Sequence, residues 1–252
     1  SDPVRIAGAT LVALQMTMLR VATYNVHDCV GRDQRFDPAR IAGILTDIDA
    51  DLIALQEVTQ DLGGDLLRQF ESATGLSAID GSLFERGVGR YGNLLLTRLR
   101  PLRTRLHDLS QRDREPRGAV EALLEHADKR LSVFATHLGL RRRERAEQLA
   151  SLARRIEKKP GATILLGDFN LWYGAAAPAS LAALGFRQRL VRSFPTWPAP
   201  AVALDRILVR QPLSISACWR HESAPAAVAS DQFPVVAELH LRHSTEGHGE
   251  GR

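Results

Sequence analysis

Hydrophobic and polar positions follow two different periods in the first part of the chain. Residues 19–26 alternate every second position, which is typical of a strand. Asp37 and Pro38 then provide a helix cap and a first helical residue, and apolar positions at helical spacing follow as far as Ile48. Residues 51–56 form a short apolar run that predicts a buried strand. The first unit is therefore predicted to be strand, helix, strand.

The same patterns predict an order of elements for the rest of the chain. A helix is predicted at 62–73, and the middle of the chain favours antiparallel strands at 93–97, 102–109, 118–126 and 131–136, with a hairpin connection at 126–130. Later segments predict helices at 142–157 and 178–184 and strands at 163–167, 204–210, 214–220 and 235–241. Because both halves combine helices and strands, we expect one α/β sandwich of two packed layers with the helices outside.

The two ends of the chain differ from this pattern. Residues 6–14 are apolar and follow Arg5, as in a short signal peptide, but no clear small-residue cleavage site follows them. We therefore predict an N-terminal extension at 1–18, a single domain at 19–243 and a polar tail at 244–252.

Composition excludes several protein classes. No apolar run approaches the ~20 residues that span a bilayer, which argues against an integral membrane protein. The two cysteines cannot form a disulfide framework, and together with the lack of a convincing signal they favour a cytoplasmic location with export left open. The chain has 33 basic and 29 acidic residues, which gives a formal net charge of +4. The basic residues are nearly all arginine, which suits phosphate partners, but codon bias explains the same excess.

Polar residues with metal or phosphate chemistry lie at the ends of several predicted strands. They are Asn25, Glu57, His137, Asp168, Asn170 and Asp231. Carboxylates combined with an amide oxygen favour a hard cation such as Mg²⁺, and the chain lacks the cysteine and histidine spacings of zinc sites. Each residue alone has a structural alternative, such as a turn cap or a partly buried histidine. Their order along the chain is what makes them informative.

Seven short motifs occur in sequence between Leu19 and Leu241. They are ATYNVH at 22–27, LQEV at 55–58, YGNLLLT at 91–97, THL at 136–138, LGDFN at 166–170, LDRIL at 204–208 and SD at 230–231. This series resembles the endonuclease/exonuclease/phosphatase superfamily. The resemblance implies a four-layer α/β/β/α sandwich and Mg²⁺- or Mn²⁺-dependent cleavage of phosphate esters.

The resemblance also implies a role for each matching residue. Glu57 would be the principal metal ligand, with Asn25 and Asp231 close to the metal. Asp168 would position or deprotonate the attacking water, Asn170 would hold that water or a phosphate oxygen, and His137 would donate to a phosphoryl oxygen. Asn93 and Arg117 are candidates for substrate contact, although a solvated hairpin position is the alternative for Arg117.

The last motif departs from the family pattern, which usually has histidine after Ser-Asp. Here Gln232 stands at that position, and Asp205 matches the aspartate that orients the usual histidine. Glutamine can donate an N–H to a phosphate oxygen and bond to Asp205, but it cannot exchange a proton near pH 7. His27 is a candidate replacement, because alternation places it on the same face as Asn25, but an ordinary strand-end residue is the favoured alternative.

The sequence therefore predicts a phosphoesterase that acts by in-line attack of an activated water. Nucleic acid, a lipid headgroup at a membrane surface and a small phosphoester all remain open as substrates, and no obligate protein partner is evident. The arginine clusters at 98–105 and 141–145 and the aromatic residues Trp172, Tyr173 and Trp197 favour nucleic acid, unless they form ordinary solvated faces. The alternative function is a weakened or inactive phosphate-binding protein, because of Gln232.

Overall fold

The computed structural model describes residues 16–61, 63–87, 89–172 and 177–242. Within them lie two six-stranded sheets, ordered β11-β12-β1-β2-β4-β3 and β5-β6-β7-β8-β10-β9. The strands are β1 (Met16–Asn25), β2 (Leu52–Asp61), β3 (Ser77–Arg86), β4 (Gly89–Thr97), β5 (Arg100–Asp108), β6 (Gly118–His126), β7 (Lys129–His137), β8 (Thr163–Asp168), β9 (Phe186–Gln188), β10 (Asp205–Arg210), β11 (Leu213–Arg220) and β12 (Val235–Arg242). The helices are α1 (Pro38–Ile48), α2 (Asp65–Thr74), α3 (Arg142–Glu157), α4 (Ala179–Ala182) and α5 (Ala226–Ala229), with a 3-10 turn at His27–Cys29.

The two sheets pack face to face, and their central strands are buried on both sides. Leu52 and Ala54 of β2 face the core between the sheets, whereas Ile53 and Leu55 face α1 and α2. In the second sheet, Leu165 of β8 packs under α3 and α4 while its neighbours face the shared core. The predicted α/β/β/α sandwich is therefore confirmed, and burial on both faces explains why these strands read as continuous apolar runs.

Local sequence determines several element boundaries. The Asp37 side chain accepts a hydrogen bond from the Arg40 backbone N–H at 2.9 Å, so it caps α1 as predicted. The α3 and β6 boundaries match the predicted ranges, and Ala127 and Asp128 have the positive φ angles of a tight hairpin. None of the helices in the described ranges is long and apolar enough to cross a membrane.

Some elements differ from the prediction. β1 begins at Met16 and pairs with β12 as far as Arg242, so residues 16–18 lie in the sheet rather than in the predicted extension. β3 and β9 were not predicted, and β3 is an edge strand in which polar and apolar residues mix without regular alternation. The helix predicted at 178–184 contains only Ala179–Ala182. Residues 1–15 and 243–252 lie outside the described residues.

Candidate active site

Two parallel strand pairs, one in each sheet, place the polar residues together. β1 pairs in parallel with β2, and β7 pairs in parallel with β8. The parallel pairing of β1 with β2 ends at Asn25 and Gln56, so Asn25 lies beside Glu57, and β7 and β8 end at the neighbouring residues His137 and Asp168. These residues, with Asn170, Asp231 and Gln232, line one open cleft of about 310 Å³.

Glu57 reaches the cleft from an irregular part of β2. The pairing of β2 with β4 shifts register between Leu55 and Val58, and Glu57 has a φ of 57°, in the left-handed region. A non-glycine residue in such a conformation costs roughly 1–3 kcal/mol and persists where the surrounding structure imposes it. The Asn25 amide Nδ2 donates to Glu57 Oε1 at 2.8 Å. The bulge and this hydrogen bond fix the direction of the Glu57 carboxylate.

Asp168 accepts hydrogen bonds at both carboxylate oxygens. Its Oδ2 accepts from Asn25 Nδ2 at 3.1 Å and from Gln232 Nε2 at 2.8 Å, and its Oδ1 accepts from the Asn170 backbone N–H at 2.8 Å. The side chain is only 1% exposed. Asp168 is therefore held in one orientation at the centre of the cluster, within reach of residues from both sheets.

His137 lies next to Asp168, and its protonation follows from its neighbours. Asn170 Nδ2 donates to the Leu138 carbonyl at 2.9 Å and lies 3.2 Å from His137 Nε2. Since a carbonyl can only accept, this nitrogen is the amide donor, so His137 Nε2 accepts and its ring proton sits on Nδ1. Burial, with Arg117 nearby, lowers the pKa of His137 to about 4 despite the opposing charge of Asp168. His137 is therefore neutral at pH 7, and its Nε2 would need to exchange its present partner before it could donate.

Arg117 and Asn93 occupy different positions relative to the cleft. Arg117 lines it, is 8% exposed and forms an ion pair with Glu115, and its Nε has no hydrogen-bond partner among the residues that the structure describes. A buried guanidinium with a free N–H is suited to an incoming anion. Asn93 does not line this cleft but lines a small adjoining cavity together with Arg117 and His137, and its amide donates to the Gly118 carbonyl at 3.1 Å. Asn93 therefore supports the start of β6, directly after Arg117.

Gln232 and Asp205 do not form the pair that the sequence suggested. Gln232 Nε2 donates to Asp168, whereas Asp205 Oδ2 accepts from the Ser193 hydroxyl at 2.5 Å. Gln232 Oε1 and Asp205 Oδ1 are both buried without a hydrogen-bond partner in the described part of the chain. Burial raises the pKa of Asp205 well above its usual value, and the charge of Asp168 adds to this.

His27 lies beyond the end of β1, although its charge partly offsets the rise that burial causes in the pKa values of Glu57 and Asp231. The strand ends at Asn25, and His27 begins a 3-10 turn with a φ of 49°. Its backbone N–H donates to Asn25 Oδ1 at 3.0 Å, while its exposed ring lies 3.1 Å from the Val30 carbonyl. The prediction from alternation was wrong because the alternation stops two residues earlier.

The carboxylates of the cleft carry excess negative charge. Burial raises the pKa of Glu57, partly offset by the Asn25 hydrogen bond, and the charge of Asp168 raises it further. Burial also raises the pKa of Asp231. In the described ranges no three Asp, Glu, His or Cys side chains enclose a metal by themselves. A donor set of two carboxylates in an open cleft still fits Mg²⁺, which usually keeps water and substrate phosphate among its ligands.

Several cleft residues were not predicted from sequence. Arg86 and Tyr91 line the cleft together, with the Arg86 guanidinium 4.5 Å from the Tyr91 ring centroid, and Leu140 and Phe194 form part of its rim. Tyr91 begins the YGNLLLT motif, although no role was predicted for it, whereas Arg86, Leu140 and Phe194 lie outside the seven motifs and only the fold reveals them. Trp172 also lines the cleft, whereas Tyr173 lies outside the described residues.

The two predicted arginine clusters differ in position. In the first, Arg98 pairs with Asp49 and Asp51, and Arg100 pairs with Glu125. The second cluster begins α3, directly after Leu140 at the cleft rim.

Comparison with known proteins identifies a family model that covers most of the chain. The model of the Endonuclease/Exonuclease/phosphatase family matches residues 22–231. The chain belongs to this family. Proteins of the family are typically hydrolases such as nucleases and phosphatases and generally use divalent metals, so membership suggests a phosphoesterase or nuclease activity.

Several proteins match this family member over almost its whole length. "Uncharacterized protein YbhP" of Escherichia coli K12 is 28% identical over 90% of this chain and 98% of its own. Among solved structures, a mannosyl-6-phosphatase of Bacteroides thetaiotaomicron is similar with a TM-score of 0.69 and 19% identity, over 88% of this chain and 99% of that one. TDP2 of D. rerio, solved with a single-strand DNA product, gives a TM-score of 0.67 and 17% identity over the same shares. At these identities the two structures show the fold alone.

Proposed function

We propose that the protein is a divalent-metal-dependent phosphoesterase that hydrolyses phosphodiester bonds by attack of an oriented water. The observation that carries this proposal is the cleft itself. Glu57, Asp168 and Asp231 meet there with His137 and the partly unpaired Arg117. Clustered carboxylates attract a cation, and a buried arginine attracts a phosphate, so the two sides of the cleft suit a metal-bound phosphoester.

The metal would be held by Glu57 and Asp231. Asn25 orients Glu57, because its amide oxygen already accepts from the His27 backbone and its amide nitrogen faces the carboxylates. Positioning rather than direct ligation is therefore the role we assign to Asn25. A bound Mg²⁺ or Mn²⁺ ion polarises a phosphoryl oxygen and offsets the charge of the cluster.

Asp168 is the residue best placed to orient the attacking water and accept its proton. Its carboxylate is fixed by N–H donors from both sheets, which leaves it little freedom to rotate. Asn170 holds the adjacent Nε2 of His137, and Arg117 would bind a non-bridging phosphate oxygen. Hydrogen-bond donors fixed in advance around the developing charge are commonly worth ~10²–10³ in rate.

Gln232 favours a second candidate function, a phosphate-binding protein with weak or no turnover. Its amide holds Asp168 in place but cannot transfer a proton. Arguing for an enzyme, the other polar residues of the cleft form a connected hydrogen-bond network. A protein that only bound phosphate would not need a fixed carboxylate at the position of Asp168.

The test is hydrolysis of bis(p-nitrophenyl) phosphate with Mg²⁺, with Mn²⁺ and with EDTA. We expect metal-dependent turnover that falls at least 100-fold in Glu57→Gln and in Asp168→Asn. Glu125→Gln is the matched control, because Glu125 lies near the far end of β6 from the cleft. Thermal unfolding with and without metal gives a second readout, since a bound ion stabilises the folded state.

Two results would contradict the enzyme proposal. One is turnover that EDTA leaves unchanged. The other is metal-induced stabilisation without hydrolysis of either bis(p-nitrophenyl) phosphate or p-nitrophenyl phosphate, which would support the binding protein instead.

A further inference from the structure

The most exposed large apolar side chains of the described residues lie in loops that follow or precede strands ending at the cleft. Phe36 and Trp197 are each 67% exposed, and Leu140 is 66% exposed. Single exposed apolar residues need no explanation, but several around one opening indicate an interaction surface. Leu140 lines the cleft itself, and so does Phe194, three residues before Trp197.

These three residues come from different loops at one end of the sandwich. Phe36 follows β1, which ends at Asn25, and Leu140 follows β7, which ends at His137. Trp197 precedes β10, whose first residue Asp205 pairs with Asp168 at the end of β8. Since all these strand ends border the cleft, the loops extend from the same face. We call Phe36, Leu140 and Trp197 the apolar tips.

Arginines accompany the apolar tips. The Arg32 guanidinium lies 5.7 Å from the Trp197 ring centroid, and Arg35 is exposed next to Phe36. Arg141, Arg142 and Arg143 follow Leu140 at the N-terminus of α3. Positive charge is disfavoured at a helix N-terminus, and although Arg143 pairs with Glu147 one turn later, no ion pair in the described ranges gives a reason for Arg141 and Arg142 there. Binding to an anionic partner would provide such a reason.

We propose that this face docks on an anionic phospholipid bilayer, with the apolar tips inserted among the headgroups and the arginines on lipid phosphates. Apolar tips next to basic residues are the combination that binds interfaces of this kind. The cleft then opens toward the bilayer, so its substrate would be a phospholipid headgroup phosphodiester, a conclusion that rests on the proposed function.

Single-stranded nucleic acid accounts for fewer of these observations. Bases would stack on Trp197 and Phe36, and phosphates would bind the arginines. Stacking gives no role to Leu140, which is aliphatic and almost as exposed as the two aromatic tips. Insertion into a bilayer uses all three side chains in the same way.

The test is co-sedimentation with vesicles of phosphatidylglycerol or of phosphatidylcholine at physiological salt. We expect binding to phosphatidylglycerol that weakens at least tenfold in Phe36→Ser/Trp197→Ser. The matched control is Leu102→Ser/Leu106→Ser, which removes two exposed apolar residues beside Arg103 and Arg105 on the edge strand β5. This control should bind like the parent chain. Arg141→Gln/Arg142→Gln should reduce the preference for phosphatidylglycerol over phosphatidylcholine.

Binding is measured with the Glu57→Gln variant as well, so that hydrolysis plays no part in the result. Vesicle binding without any hydrolysis would support the docking face and contradict only the enzyme. Equal binding by the tip and control variants, or no vesicle binding by the parent chain, would overturn the proposal. Tip-dependent binding of a single-stranded oligonucleotide in place of vesicles would overturn it in favour of base stacking. Unfolding transitions of the variants verify that each one is folded.

Discussion

Gln232 occupies the centre of the cleft, and its contacts suggest what a histidine there would change. Its amide nitrogen bonds Asp168, and its amide oxygen is buried without a partner among the described residues. The position therefore maintains the orientation of Asp168 but supplies no group that titrates near neutral pH.

We expect Gln232→His to raise metal-dependent kcat/KM at least tenfold. A positioned proton-transfer group is commonly worth ~10²–10⁴ in rate, and part of that is lost to imperfect geometry. The measurement is bis(p-nitrophenyl) phosphate hydrolysis, with Gln232→Asn as the control that shortens the amide without adding a titrating group. An unchanged rate in Gln232→His would mean that this position does not transfer protons.

His137 links the site to the pH dependence of stability. Because its folded-state pKa is lowered from 6.5 to about 4, the unfolded chain binds a proton at this residue that the folded chain does not. Protonation between these pH values therefore favours unfolding, and stability falls as pH decreases from 6.5 toward 4.

We expect His137→Gln to lose less stability on acidification than the parent chain. Between pH 7 and pH 5 the difference should be about 1–2 kcal/mol, since one pKa unit corresponds to about 1.4 kcal/mol. Urea unfolding at both pH values measures it. His240→Gln, on β12 and outside the cleft, should behave like the parent chain. Parallel losses in all three proteins would contradict the argument.

At the scale of elements, the cleft depends on how closely β7 and β8 approach. Gly167 has a φ of 144°, and a Cβ there would lie 1.8 Å from the Thr136 carbonyl oxygen. Backbone cannot move aside as a flexible side chain can. Glycine at 167 therefore allows β8 to bring Asp168 beside His137.

Gly167→Ala should destabilise the protein by about 3 kcal/mol or more, through the steric contact and the strained φ together. Gly43→Ala is the matched substitution, because Gly43 lies in α1 and a Cβ there would meet no other atom within 4 Å. Alanine there should be neutral or stabilise by up to ~1 kcal/mol. Chemical unfolding measures the free energy of unfolding of both variants. Similar values for the two would show that the structure relaxes around the contact with Thr136.

At the scale of the whole molecule, both sheets share one apolar core. Leu95 of β4 is fully buried in the cluster between the sheets, with Val133 and Leu166 from the opposite sheet. Neither sheet can keep this face buried without the other. We therefore expect the sandwich to unfold in one cooperative transition.

Leu95→Ala should cost about 2–5 kcal/mol, because the cavity it leaves is bounded by both sheets and cannot fully collapse. Leu190→Ala provides the comparison, since Leu190 is 39% exposed. It should cost less than ~1 kcal/mol. Calorimetry should show a single transition in each case, and two separate transitions in Leu95→Ala would mean that the sheets fold independently.

The sequence by itself determined the order of most elements, the α/β sandwich and the family. Strands buried on both faces and capped helices such as α1 have local patterns that survive folding, and the family motifs lie in short segments such as 166–170. Edge elements such as β3 lack a regular pattern because only part of each face is buried, and they were missed.

Tertiary structure alone decided which partner each polar side chain has. Gln232 bonds Asp168 rather than Asp205, and Asn93 lies outside the cleft. It also placed Arg32 beside the Trp197 ring, although the two residues are far apart in sequence. Local periodicity specifies where a side chain lies on its own element, whereas these contacts depend on how distant elements pack.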